Sequence, residues 1–169
     1  MKSILFATIT ANGFIADNNG EEDFFDEKNW EMFKNLVIEN GNVIWGRKTY
    51  EMVVNWGGNY INDFSTVKII VISKIKKDYM KSNVTVCENL DTAVKSLKRQ
   101  KLNPFIAGGS FTYSSALKQG LVDKLILNFN SIFIPNGIAL FDDKIDCKAF
   151  KINSIEKISD TIAQISLEK

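Results

Sequence analysis

Val43-Ile44-Trp45-Gly46-Arg47-Lys48-Thr49 decides the fold: an apolar run reaches a glycine and passes at once into a polar, helix-compatible segment. The run from Asn42 to Trp45 predicts a strand, and Arg47 to Val53 predicts one or two helical turns, closed by the aromatic and glycine-rich Trp56-Gly57-Gly58. The arrangement returns at Phe105-Ile106-Ala107-Gly108-Gly109-Ser110, where a strand from Pro104 to Ala107 meets two glycines and a helix follows from Ser110 to Lys118. A strand that feeds directly into a helix is half of a βαβ unit, so two such junctions predict an α/β protein with a mainly parallel sheet.

Working outward, Ser3 to Ile9 reads as a buried strand, and Asn12 to Glu22 as a polar loop anchored by Phe14 and Ile15. Asp26 offers an N-cap to a helix whose Trp30, Phe33, Leu36 and Val37 share a face, and Gly41 supplies the stop. Val67 to Ile72 is nearly continuous in apolar character, as a strand covered on both faces requires. Asn83 to Cys87 forms a shorter strand, and Asp91 caps the next helix. Gly120 ends the Ser110 helix, and Leu121 to Phe133 reads mostly as strand. Phe150 to Ile158 and Thr161 to Leu167 meet at Ser159-Asp160 as a terminal antiparallel hairpin. No repeat, linker or composition break divides the 169 residues, so one domain is expected.

Composition excludes several chemistries. With no His in the chain, Ser-His-Asp and Cys-His catalysis and imidazole-based zinc sites are ruled out. Cys87 and Cys147 stand alone, without a Cys-x-x-Cys pair, and read as reduced thiols. The net charge of +1, from 21 basic and 20 acidic side chains, argues against nucleic acid as a main partner. No apolar run approaches the roughly 18 residues that span a bilayer, and Ser3 to Ile9 is too short for a secretion signal. The expectation is a soluble cytoplasmic domain with a small-molecule substrate, no metal and no membrane partner.

Each glycine junction ends a strand and opens a helix, whose first turn leaves about four backbone N–H groups unpaired under a partial positive charge. In a parallel sheet both junctions fall on the carboxyl rim, where ligands bind in open α/β folds. Two anion-ready helix starts on one rim suit the pyrophosphate of a dinucleotide. Arg47 and Lys48 oppose the helix dipole, a misfit that a bound phosphate would correct. Ser73-Lys74, directly after the strongest strand, are placed to join them, which favours NADPH over NADH. Gly41 to Thr49 superficially matches a P-loop, but the interval between Gly41 and Gly46 is an apolar strand and cannot cradle phosphate.

Ala7, the Asn12-Gly13-Phe14-Ile15-Ala16 loop, Gly46-Arg47-Lys48-Thr49-Tyr50-Glu51 and Ala107-Gly108-Gly109-Ser110, in this order, resemble the dihydrofolate-reductase-like superfamily. Gly120-Leu121-Val122-Asp123-Lys124-Leu125 and Pro135-Asn136-Gly137-Ile138-Ala139-Leu140-Phe141 are more similar to its riboflavin-biosynthesis reductase branch, the RibD C-terminal domain. The resemblance implies a three-layer α/β fold with a mostly parallel eight-stranded sheet, an NADPH-dependent reductase activity, and a homodimer formed through C-terminal sheet edges, with Leu121 to Phe133 compatible with that role.

By the same resemblance Ala7 and Ile15 flank the nicotinamide. Gly46, Arg47, Lys48 and Thr49 hold phosphates, and Ser73 and Lys74 approach the adenosine 2′-phosphate. Gly108, Gly109, Ser110, Phe111 and Thr112 cradle the pyrophosphate, with Gly108-Gly109 a candidate cis peptide. Asn12 stands where riboflavin-type reductases carry an aspartate. Asn29 falls at or beside the pterin-binding acid of folate reductases, with Glu27 and Glu31 as neighbours, so Asn12, Asn29 and Glu27 are the catalytic candidates. Asp23, Glu27, Glu31 or water are the candidate proton donors, and Asn12 to Phe25 a candidate lid. The implied substrate is a small heterocyclic or carbonyl compound, a riboflavin-precursor pyrimidine among them. The alternatives are a dihydrofolate reductase and a nucleotide-binding domain with little catalysis.

Overall fold

The computed structural model describes residues 1–56, 60–75, 77–142, 145–146 and 149–169. In chain order the elements are β1 (Ile4–Thr10), β2 (Phe14–Ala16), α1 (Glu27–Asn40), β3 (Asn42–Gly46), α2 (Arg47–Asn55), β4 (Lys68–Ile72), β5 (Val84–Cys87) and α3 (Leu90–Arg99). They continue with β6 (Phe105–Ile106), α4 (Ser110–Lys118), β7 (Lys124–Asn130), β8 (Ile138–Ala139), β9 (Lys151–Lys157) and β10 (Ile162–Glu168). Gly57, Gly58 and Cys147, each singled out in the sequence, lie outside the described residues.

An eight-stranded sheet runs in the order β5-β4-β3-β6-β1-β7-β10-β9. Its pairs are parallel from β5 through β7, whereas β10 pairs antiparallel with both β7 and β9. The expected three-layer, mostly parallel architecture with an antiparallel C-terminal hairpin is therefore the one the chain adopts.

Alternation along the strands sends one set of side chains to each face, and each face carries its own core. Phe6, Val43, Trp45, Phe105 and Ile126 pack against Phe33 and Val37 of α1 and Tyr50 and Val53 of α2. Their rings, with Phe64, lie at centroid separations such as 5.4 Å for Phe6–Phe33 and 5.7 Å for Trp45–Phe64, within the range favourable for aromatic pairs. On the other face Leu5, Ala7, Ile44, Ile106 and Leu125 pack against Ala93, Val94 and Leu97 of α3 and Tyr113, Ala116 and Leu117 of α4. The α1–α2 and α3–α4 layers thus sandwich the sheet, and α2 and α4 approach its carboxyl rim from opposite sides.

Local signals set the helix limits well. Asp26 caps α1 by accepting from the Lys28 N–H at 2.8 Å, and Gly41, in the left-handed region, ends it. Three expectations need correction. The Asn12–Glu22 segment is not all loop: β2 lies within it and pairs with β8, a partner far away in sequence. Asp91 does not cap α3. That helix starts a residue earlier behind Asn89, with Leu90 buried, and Asp91 spends its carboxylate on Lys95 at 2.7 Å. The Leu121–Phe133 strand is shortened to β7, which sits between β1 and β10 and so offers no free edge. Among the described residues no helix is long and apolar enough to cross a membrane.

Candidate active site

Strand register assembles the rim. Gly46 of β3 lies opposite Ile72 of β4, so Arg47 and Ser73 emerge side by side. Ile44 lies opposite Ile106 of β6, and Leu5 of β1 opposite the same Ile106, which brings Gly46, Gly108 and Ala7 to one level. From β4 to β1 the rim covers three strand spacings, roughly 14 Å. In spatial order it presents Ser73 and Lys74, then Gly46 to Thr49, then Gly108 to Thr112, then Ala7.

The two glycine junctions touch. The Gly46 N–H donates to the Gly108 carbonyl at 2.7 Å, and the Gly108-Gly109 bond is cis. A Cβ at Gly46 would lie 2.8 Å from Thr112 Oγ1, and one at Gly109 would lie 2.9 Å from Thr49 Oγ1. Real Cβ atoms do not approach oxygen so closely, so glycine is required at both positions by the convergence of the helix starts. Ser110 and Thr112 are buried, and Ser110 Oγ has no hydrogen-bond partner. A buried hydroxyl without a partner is costly, and it opens a helix whose first N–H groups have no side-chain cap. Phe111 stands 72% exposed beside it.

Arg47 is engaged within the protein. Its Nη1 meets Glu51 Oε2 at 2.7 Å, while Lys77 Nζ and the Tyr79 hydroxyl donate to Glu51 Oε1 at 2.9 and 3.2 Å. The hydrogen bond from Lys77 holds the Glu51 carboxyl below its usual range, with Tyr79 and Arg47 adding to the effect against desolvation. Lys77 and Tyr79 also line a groove of about 640 Å³ with Ser73, Lys74, Thr85 and Glu88. Ser73 Oγ closes a local turn, accepting from the Ile75 N–H at 3.0 Å and donating to its carbonyl at 2.9 Å. Lys48 and Lys74 are exposed.

At the other end of the rim, Ala7 is buried in β1 and Ile15 of β2 packs against the same core as Ala7 and Tyr113. Asn12 is occupied: its Nδ2 donates to the Ile134 carbonyl at 2.7 Å, and its Oδ1 accepts from Thr10 Oγ1 at 3.0 Å. Asn12 thereby fastens the β1–β2 turn to the segment before β8. Glu27 is exposed in the first turn of α1. Asn29 is buried and forms part of an amide network. Its Nδ2 donates to Asn130 Oδ1 at 2.9 Å and to the Asp26 carbonyl at 3.1 Å, and its Oδ1 accepts from Asn128 and Asn130 at 3.3 Å each. Gln164 Nε2 extends the network to Asn128 Oδ1 at 2.9 Å.

Sequence reading missed Asn128, Asn130, Tyr113 and Glu22. The two asparagines alternate with apolar residues along β7, a period-2 signal that places both on the α1 face of the sheet. Tyr113 donates to the Phe6 carbonyl at 2.8 Å, and burial first, then the Glu22 charge, raises its hydroxyl above the ordinary phenol value. Glu22, half-buried on the β2–α1 loop, is pushed up to about 8 by burial and by neighbouring Glu21. Among the described residues no group of three or more Cys, Asp or Glu is placed to hold a metal ion.

A family model for the RibD C-terminal domain matches residues 2–163. The chain is 26% identical over 147 residues to the uncharacterized protein YwjB of Bacillus subtilis (strain 168), covering 84% of this chain and 83% of that protein. Its fold is similar to that of a putative riboflavin biosynthesis protein from Shewanella sp. PV-4, with a TM-score of 0.77 and 20% identity across 99% of this chain and 98% of that one. It is also similar to a diaminohydroxyphosphoribosylaminopyrimidine deaminase/5-amino-6-(5-phosphoribosylamino)uracil reductase from Thermotoga maritima, with a TM-score of 0.74 and 14% identity across 99% of this chain and 56% of that one.

Proposed function

The chain belongs to the RibD C-terminal domain family, and from that premise we propose that it is an NADPH-dependent reductase of a small heterocyclic or carbonyl compound, with riboflavin-precursor pyrimidines as the leading substrate class. When bound, NADPH supplies the hydride. The protein's own part is to bind, orient and exclude water.

One observation carries this reading: the starts of α2 and α4 meet through the Gly46–Gly108 hydrogen bond, with Ser110 Oγ buried and unpartnered at the α4 start. A phosphate fits these residues. It gives the Ser110 hydroxyl an acceptor, receives the free N–H groups of both helices, and needs the close backbone approach that Gly46 and Gly109 permit. Thr49, Gly108, Phe111 and Thr112 complete the cradle. Arg47, Lys48, Ser73 and Lys74 supply the positive charge and hydroxyl for the 2′-phosphate end. Ala7 and Ile15 are the residues proposed to flank the nicotinamide.

Calorimetric titration with NADPH, followed by its oxidation in the presence of 5-amino-6-(5-phosphoribosylamino)uracil and a panel of simple carbonyls, tests the reading. Binding with turnover is expected. Binding without any turnover would make the chain a nucleotide-binding domain with little activity, and no binding would remove both readings.

A homodimer belongs to the same proposal. Strand β9 is a free sheet edge on which Ile152 and Ile155 are 66% and 63% exposed, the kind of apolar edge that a second copy would cover. Sedimentation is expected to give twice the chain mass, and a monomer would refute it.

A further inference from the structure

We propose that the Glu51 carboxylate is an internal stand-in for a phosphomonoester: it occupies the donors of the nucleotide 2′-phosphate and gives them up when that phosphate binds. The assignment rests on the reductase reading above, and it adds Lys77 and Tyr79 to the phosphate-binding residues.

Three donors from two parts of the chain converge on this one side chain. Arg47 Nη1, at the start of α2, meets Oε2 at 2.7 Å from one helical turn before. Lys77 Nζ and the Tyr79 hydroxyl come from the segment between β4 and β5 and share Oε1, at 2.9 and 3.2 Å. An arginine, a lysine and a hydroxyl around one anion form a donor set suited to phosphate. The carboxylate has only two oxygens to divide among them. A phosphomonoester offers three, with roughly −1.5 to −2 of charge at pH 7, and is the better partner for every donor in the cluster.

The donors have anchors other than Glu51. The Tyr79 ring stands edge-on to buried Tyr50, with 4.7 Å between centroids, and Lys77 Nζ lies 5.1 Å from the Tyr79 ring centroid. Arg47 is fixed at its base by the first turn of α2 and emerges beside Ser73 across the β3–β4 register. Glu51 keeps 25% of its side chain exposed, and Arg47 and Lys77 are more open still. Exchanging one anion for another therefore needs side-chain rotation and no change of fold. Lys77 and Tyr79 also line the groove of about 640 Å³ with Ser73 and Lys74, which gives the rest of a nucleotide room beside the donors. Asp78 and Glu88 line it too, but both are exposed to solvent, where salt screens their charge.

Glu51 thus sets how strongly the extra phosphate is felt. NADH, which lacks it, leaves the carboxylate in place and gains nothing from Arg47 or Lys77. Binding of NADPH requires Arg47, Lys77 and Tyr79 to leave Glu51, so the carboxylate lowers the affinity for the phosphate-bearing nucleotide.

Two measurements on the full chain decide this. In thermal unfolding without nucleotide, inorganic phosphate is expected to raise the Tm of Glu51→Gln by roughly twice as many degrees as that of wild type, because no carboxylate competes for Arg47 and Lys77. An equal or smaller rise would overturn the proposal whether or not NADPH binds. In calorimetric titration, Glu51→Gln is expected to tighten NADPH about 10-fold and to change the NADH Kd by less than about threefold. Lys77→Met is expected to weaken NADPH about 10-fold and NADH much less, and equal Kd values in Lys77→Met and wild type would overturn the proposal. Unchanged or weaker NADPH binding in Glu51→Gln, or equal shifts for the two nucleotides, would make Glu51 a structural residue and leave the reductase reading standing. A wild-type chain that binds no NADPH would overturn that reading and this one together.

Discussion

Gly46 and Gly108 are joined by a 2.7 Å hydrogen bond from the N–H of one to the carbonyl of the other, which locks the starts of α2 and α4 together above the sheet. Because those helices pack on opposite faces, the contact is made only at the rim, and it leaves the first turns of both facing the same space.

Gly46→Ala puts a methyl 2.8 Å from Thr112 Oγ1. The expected cost is about 1–3 kcal/mol of stability, as for other overpacked sites, together with weaker NADPH binding. Thr112→Ala in the same chain removes the clashing oxygen, so the double variant is expected to be more stable than the sum of the single effects. Additive losses in urea unfolding would show that the two residues are not coupled.

Arg47→Ala is expected to weaken NADPH by roughly 10-fold or more while leaving NADH nearly unchanged, since only NADPH carries the phosphate that would draw the guanidinium from Glu51. Parallel titrations with the two nucleotides check this. Equal losses would mean that the Arg47–Glu51 pair is purely structural.

Glu22 makes stability depend on pH with a sign opposite to that of an ion-paired carboxylate. Its folded value of about 8 lies above the ordinary 4.5, so between these limits the folded chain keeps a proton that the unfolded chain has released. The site's contribution is full below the unfolded value and lost as pH rises through the folded one. Glu22→Gln cannot ionise, so relative to wild type it should gain a few kcal/mol between about pH 5 and about pH 9. A pH-independent difference in urea midpoints would contradict the desolvated carboxyl.

Asn29→Asp replaces an amide that donates to Asn130 Oδ1 and the Asp26 carbonyl with an oxygen that cannot donate. The change is expected to destabilise the fold by roughly 1–3 kcal/mol, because the buried Asn130 Oδ1 loses its donor. For the same reason, dihydrofolate turnover and strong methotrexate binding are expected to be absent from the wild type: the amide is consumed by Asn128 and Asn130 and carries no charge for a protonated pterin. Turnover of dihydrofolate would sink this point.

Much of the fold could be read because its signals are local. Asp26, Gly41 and the Gly109-Ser110 step lie within a turn of the helix ends they define, and the apolar run in β4 announces a strand covered on both faces. What could not be read depends on partners far along the chain. β2 exists because β8 is there to pair with it, and Glu22 is desolvated by burial that its local sequence does not announce. The amide network needs α1, β7 and β10 in one place. Arg47 lies between these cases. The i,i+4 spacing to Glu51 was visible all along, but the recruitment of Lys77 and Tyr79 to the same carboxylate was not. The rim itself was anticipated from two strand–glycine–helix junctions, and the parallel register of β3, β6 and β1 brought them together.

A crystal structure of the chain with NADPH bound tests the central claim most directly. It should place the pyrophosphate within hydrogen-bonding distance of Ser110 Oγ and of backbone N–H groups in the first turns of both α2 and α4. A nucleotide held elsewhere, with the Ser110 hydroxyl still unpartnered, would contradict it.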